Sequence, residues 1–112
     1  MEVRASTHDL GVSARKVRLI VERLPGHTVD QALSLLRYVS SPHARSISKT
    51  VLSAASNAEN NFNLDVDSLI IKRAYADEGK TQRRFRARSR GRASPLLKRS
   101  AHVTIILDER GV

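Results

Sequence analysis

LIIKRAYADEGKTQRRFRARSRGRASPLLKRSAHVTIIL, residues 69–107, begins and ends in apolar runs rich in β-branched residues and carries its charge in the middle. Leu69-Ile70-Ile71 and Val103-Thr104-Ile105-Ile106-Leu107 read as strands, because branched side chains suit a pleated, half-buried surface. Residues 69 and 107 lie symmetrically about position 88. That symmetry predicts a long antiparallel hairpin over about 69–107, with the charged segment as its distal part. Two extended arms running from residue 77 to a tip near 88 reach about 36 Å at roughly 3.3 Å per residue. A compact domain of this size has a radius of gyration of only about 13 Å, so the hairpin is expected to project from the body.

The charge inside this stretch is concentrated. Lys80, Arg83, Arg84, Arg86, Arg88, Arg90, Arg92, Lys98 and Arg99 fall between residues 80 and 99, and that window has no acidic residue. The chain carries 20 basic and 11 acidic groups in all, so the rest of it is neutral and the whole net charge of +9 belongs to the arm. A polyanion is the partner such an arm fits, since Lys and Arg neutralise phosphates and release condensed counterions. Seven of the nine are arginine, whose planar fork binds phosphate bidentately and stacks on bases. Arg84, Arg86, Arg88, Arg90 and Arg92 recur at every second position. On an extended chain that period repeats one face about every 6–7 Å, near the phosphate spacing of a nucleic-acid strand. Phe85 lies among them as a possible base-stacking group. A solvated charge run or a disordered segment is the plain alternative. The internal position between two strand-like runs weighs against it, because long structureless loops inside compact domains are uncommon and usually functional.

Outward from the hairpin, the body reads as three helices and a short strand. Residues 2–8 alternate, with Val3, Ala5 and Thr7 on one side. Ser13 is the expected N-cap of a helix whose stripe is Val17, Ile20, Val21 and Leu24, ended by Pro25-Gly26. Arg15, Lys16, Arg18 and Arg23 fall mostly off that stripe, free for solvent or phosphate. Thr28-Val29-Asp30-Gln31 is a capping box. It opens a helix to about Tyr38 with Ala32, Leu33, Leu36 and Val39 inward. Ser41-Pro42 is expected to open the third helix. There Ala44, Ile47, Val51, Ala54, Ala55 and Ala58 keep one face apolar, and Asn60-Asn61 closes it. The fold class that follows is α+β: three helices packed on a small antiparallel sheet, with a long projecting β-hairpin, as one domain over residues 1–112.

Composition excludes several classes. The chain has no cysteine, so neither a disulfide scaffold nor a thiolate metal site is open to it. No apolar run follows the N-terminus and none approaches the roughly 20 residues of a membrane span; a soluble intracellular protein is expected. His8, His27, His43 and His102 show no metal-ligand spacing, and no metal or cofactor is expected. Asp77-Glu78-Gly79 reads as a strand-to-loop junction, with Gly79 supplying a permissive backbone. No catalytic Ser-His-Asp order, glycine-rich phosphate loop or nucleophile elbow is present, so an enzyme is not expected.

Four ordered blocks carry a family resemblance. They are Val12-Ser13-Ala14-Arg15-Lys16-Val17-Arg18-Leu19-Ile20, then Ser56-Asn57-Ala58-Glu59-Asn60-Asn61, then Tyr75-Ala76-Asp77-Glu78-Gly79, and last Arg88-Ser89-Arg90-Gly91-Arg92 followed by His102-Val103-Thr104-Ile105-Ile106-Leu107. In these the chain resembles the bacterial form of the L twenty-two family of large-subunit ribosomal proteins. The resemblance implies a constituent of the large ribosomal subunit, in the cytoplasm, that binds 23S-type rRNA and aids subunit assembly. It implies a hairpin tip lining the nascent-peptide exit tunnel, with the ribosomal protein L four and the nascent peptide as neighbours. Carried onto this chain, the tunnel-side tip is Gln82, Arg83, Arg84, Phe85, Arg86, Ala87, Arg88, Ser89, Arg90 and Gly91. RNA contact is assigned to Arg15, Lys16, Arg18, the nine basic residues of the arm and His102. The chain departs from the family pattern at Lys80 and Ala87, where proline is common, at Ala14, which replaces a proline, and at Pro95, an addition. Those departures bear on the path of the loop.

Two other classes compete. A free-standing DNA-binding regulator would need a recognition helix with a comparably basic face, which is lacking. An RNA-modifying enzyme would need a cofactor pocket and a base or nucleophile, and neither has a place in the sequence.

Overall fold

The computed structural model describes residues 2–87, 91 and 93–109. Strand β1 (Val3–Leu10) leads into helices α1 (Ala14–Val21), α2 (Val29–Tyr38) and α3 (Ala44–Phe62). A short 3-10 turn at Val66–Ser68 precedes β2 (Leu69–Glu78), β3 (Gln82–Ala87), β4 (Ala93–Lys98) and β5 (Ala101–Glu109). The strands β1, β5 and β2 form an antiparallel sheet with β5 in the middle, and β3 and β4 form a separate two-stranded ribbon. The α+β class and the hairpin expected from residues 69–107 are both present.

The position of β5 explains its sequence. As the central strand it has Ala101, Val103, Ile105 and Leu107 fully buried against the helices. The valine, isoleucine and leucine each contribute about 1.5–3 kcal/mol of burial. Helix α3 lies over β1 and β5, α1 lies over β2, and α2 packs against α3. The stripes read from sequence point inward: Val17, Ile20, Val21 and Leu24 are buried, as are Ile47, Val51, Ala54 and Ala58. The alanines of α3 admit the close approach of its neighbours. Thr50, buried on the same face, donates its hydroxyl to Ser46 O and also meets the Thr7 hydroxyl on β1.

Several local expectations need correcting. The hairpin is centred later than position 88. Leu69 pairs with Glu109 and Ile71 with Leu107, so the ladder does not set Leu69 opposite Leu107. The register then shifts between Ile71 and Arg73. By the distal ribbon, where Gln82 pairs with Lys98 and Ala87 with Ala93, the midpoint has moved to position 90. A bulge adds a residue to one strand and turns the faces over, which symmetry in the sequence cannot foresee. Ser13 holds the N-cap position of α1, but its hydroxyl makes no cap; its carbonyl takes the Lys16 and Val17 amides instead. Helix α3 opens at Ala44 after a turn in which Ser41 Oγ accepts the His43 amide, so Pro42 precedes the helix. It runs past Asn60-Asn61 to Phe62. There Asn63 turns left-handed at φ 53°, and the amides of Asn63 and Leu64 both reach Ala58 O. The capping box of α2 forms as read, with Thr28 Oγ1 taking the Gln31 amide at 3.3 Å and Gln31 Oε1 the Thr28 amide at 3.1 Å.

The molecule is elongated. Its principal extents are 64 × 27 × 19 Å and its radius of gyration is 17.2 Å, well above the value of about 13 Å for a compact domain of this length. The projection expected of the hairpin accounts for the difference.

Candidate nucleic-acid interface

The functional side chains are positioned where the body meets the arm. Helix α1 sits on β2 and is fastened there by Arg18, whose Nε donates to Ala76 O at 2.9 Å. Arg18 therefore orients the helix relative to the hairpin root as well as presenting charge. Where the body ladder ends at Glu78 and Ala101, the Gly79 amide donates to Ser100 O at 2.9 Å, and Ser100 Oγ donates to Lys80 O at 2.8 Å. These two bonds carry the hairpin across the gap before β3 and β4 begin.

Gly79 has a different reason from the one its sequence context suggests. It does not have positive φ. A Cβ there would lie 2.4 Å from Ser100 Oγ and 3.0 Å from a ring carbon of His102. The residue is small because two side chains of the returning strand close over it.

Between the start of α1 and the root of the arm lies an open groove of about 1410 Å³. Its walls bring together Arg15 and Lys16 from α1 and Lys80, Lys98 and Arg99 from the arm, with Glu78 as the only carboxylate among the residues that line it. All five cations are exposed. In sequence they form two clusters more than sixty residues apart; the fold makes them one surface. Arg15 and Lys16 stand in the first turn of α1, which has no acidic residue. Cations there oppose the helix macrodipole and cost a few tenths of a kcal/mol each. An anion in the groove would offset that cost. His43, from the turn before α3, also lines the groove, and neither it nor Leu19 and Leu97 was assigned a site from sequence. Leu19 carried a readable signal, since it lies off the apolar stripe of α1.

Other assigned residues lie elsewhere. Arg83 is exposed on β3. Strand β3 sets Arg84 opposite Leu96 and Arg86 opposite Ser94, so alternate positions of the ribbon hold arginine. Phe85 pairs with Pro95, and a proline fits because both strands of a two-stranded ribbon have an open edge. Gly91 adopts φ +71°, a conformation that favours glycine. Arg88, Ser89, Arg90 and Arg92 lie outside the described residues. His102 is half-buried on the face of the sheet away from the helices, its ring edge-on to His8 at 4.8 Å and its backbone paired with Asp77. That face also holds Arg4 and Arg73 on either side of Ile106, and Ser6 and Tyr75 on either side of Thr104.

At the opposite end of the sheet an ion cluster closes the strands. Lys72 Nζ lies 2.7 Å from Glu2 and 3.4 Å from Asp108, and Arg73 reaches Glu2 at 3.3 Å. The Lys72 hydrogen bond and charge hold the Glu2 carboxyl below its ordinary range, and Glu2 raises Lys72 in return. Asp108 is also lowered, first by the Glu109 amide that donates to it. Among the described residues no His, Asp and Glu group has metal-ligating geometry, and no helix is long and apolar enough to cross a membrane.

The family described as Ribosomal protein L22p/L17e matches residues 5–108. A protein named large ribosomal subunit protein uL22 from Dehalococcoides mccartyi is 49% identical over 107 residues, covering 96% of this chain and 98% of the relative. Proteins of the same name from Clostridium novyi and Macrococcus caseolyticus are 44% and 38% identical, covering 98% and 100% of this chain and 99% and 90% of the relatives. With the match spanning both the helical body and the basic arm, the chain belongs to the ribosomal protein L22p/L17e family.

Proposed function

We propose that this chain is a structural constituent of the large ribosomal subunit that binds 23S-type rRNA through its basic residues. Arg15 and Lys16 on α1 act with Lys80, Lys98 and Arg99 at the hairpin root, and the remaining basic residues of the arm, Arg83, Arg84, Arg86, Arg88, Arg90 and Arg92, are assigned to the same RNA. The observation that supports this reading is that Arg15 and Lys16 of α1 line the same groove as Lys80, Lys98 and Arg99 at the root of the arm. Contact with RNA is mainly to phosphates, so recognition follows backbone shape more than base identity. The arginines screen phosphate repulsion and let RNA segments pack against the arm, which is how the chain aids subunit assembly. Residues 1–112 act as one unit, with 80–99 as its basic distal part. The tip, residues 82–91, lines the nascent-peptide exit tunnel, near the ribosomal protein L four and the nascent peptide. The protein works in the cytoplasm, within the ribosome.

Ultraviolet crosslinking in cells, followed by sequencing of the attached nucleic acid, tests the proposal. Reads concentrated on a few sites of large-subunit rRNA, with peptide adducts in residues 13–18 and 80–99, are expected. Reads scattered over messenger RNA or DNA would overturn it in favour of a free-standing regulator.

A further inference from the structure

Two apolar side chains stand in the cationic groove where a purely phosphate-binding surface has no use for them. Leu19 on α1 is 67% exposed and Leu97 on β4 is 52% exposed. Both line the same groove as Arg15, Lys16, Lys98 and Arg99. Single exposed leucines are ordinary on a protein surface. Here, however, one comes from the helix and one from the arm, and both sit on a surface whose charge selects a polyanion. A duplex offers phosphates, 2′-hydroxyls and base edges to a groove of this kind, but its base faces are stacked inside. A nucleotide turned out of its stack offers a phosphate to the cations and an apolar base face to the leucines.

We infer that the groove between α1 and the hairpin root is a pocket for an unstacked nucleotide, with the base against Leu19 and Leu97 and its flanking phosphates on Arg15, Lys16, Lys98 and Arg99. The inference rests on the RNA-binding reading and gives it a specific ligand form. It also explains why the groove is wide and open instead of a narrow phosphate track. Because apolar contacts release no counterions, the leucines contribute affinity that is independent of salt, whereas the cations set the salt slope.

The chain has no tryptophan, so Leu97→Trp introduces a single fluorophore at the site. The full-length variant is titrated with a short oligouridylate, with a blunt RNA duplex of equal length and with inorganic polyphosphate. Strong quenching by the oligouridylate, with little response to duplex or polyphosphate at saturation, is expected, since a base stacked on the indole quenches it. In the tryptophan-free background, Leu19→Ser/Leu97→Ser is expected to weaken oligouridylate binding ~10-fold at unchanged salt slope and to leave duplex binding within about twofold. Both leucines are exposed, so the double variant keeps the core. Equal quenching by polyphosphate and oligouridylate, or an equal loss on both RNAs, would overturn the pocket and leave general RNA binding standing. Failure of the wild-type chain to bind either RNA would remove the RNA-binding reading and the pocket with it.

Discussion

The body and the arm of this protein are stabilised by opposite means. In the body, Ile47, Val51, Leu69, Ile71, Ile105 and Leu107 are fully buried, and the charges outside the arm balance. The arm has nine basic residues and no acid between Lys80 and Arg99, and its described strands form a two-stranded ribbon. An isolated two-stranded ribbon is marginal in water, and like charges along it repel. On the proposed function, bound RNA supplies the arm with what the body obtains from burial. The lesson is that one chain can devote its apolar residues to a platform and its excess charge to a projection. Loss of either should have a distinct signature.

The sharpest way to break the platform is Leu107→Ala on the central strand. Deleting a fully buried leucine there should cost about 2–5 kcal/mol, a large share of the stability of a domain this size. Urea unfolding checks it, and RNA affinity measured on the remaining folded fraction should be unchanged. The complementary break is Arg84→Ala/Arg88→Ala/Arg92→Ala. Unfolding should hardly move, while RNA affinity falls ~100-fold at low salt and the log–log salt slope becomes shallower by about 2–3. In cells the same variant should accumulate incomplete large subunits on sedimentation; normal profiles would separate the arm from assembly.

The joint between the two regions gives a smaller effect. Gly79→Ala brings a Cβ against Ser100 Oγ, which can rotate away only by giving up its bond to Lys80 O, and should cost about 0.5–1.5 kcal/mol. Adding Ser100→Ala should restore part of that loss, whereas a purely conformational role for the glycine would give no rescue. Thr28→Ala removes one half of the capping box of α2 and should cost about 1 kcal/mol, read as a shift in the urea midpoint at constant slope.

The ion cluster should have the smallest effect, because Lys72 and Glu2 are exposed to solvent and Asp108 is only half-buried. Glu2 and Asp108 titrate below their ordinary values, so their contribution is present above the unfolded carboxylate range and is lost as pH falls through the lowered folded values. Lys72 titrates above its ordinary value, so its contribution is present below that value and is lost only as pH rises through the raised one. Lys72→Met should thus differ from the wild type at neutral pH. The difference should shrink at both the acidic and the strongly alkaline limit of a stability–pH curve.

Much of the molecule is legible without coordinates because it depends on local period and local chemistry. The apolar stripes of α1 and α3, the capping box of α2, the strand character of residues 69–71 and 103–107, and the cationic arm each follow from neighbours in sequence. The family resemblance rests on the same short blocks. Where local reading failed, two local solutions competed and packing chose between them. Ser13 left its amides to a backbone carbonyl, α3 began after the Ser41 turn, and a bulge between Ile71 and Arg73 moved the hairpin midpoint. The role of Gly79 was invisible because it depends on Ser100 and His102, which arrive from the returning strand.

Charge count and period are properties of the chain, and they already separate a charge-balanced body from a cationic projection. That Arg15 and Lys16 share one groove with Lys98 and Arg99, with Leu19 and Leu97 in its walls, comes from the packing. The physical reason is that packing α1 on β2, fastened by Arg18 to Ala76, sets the distance between residues that sequence separation cannot specify.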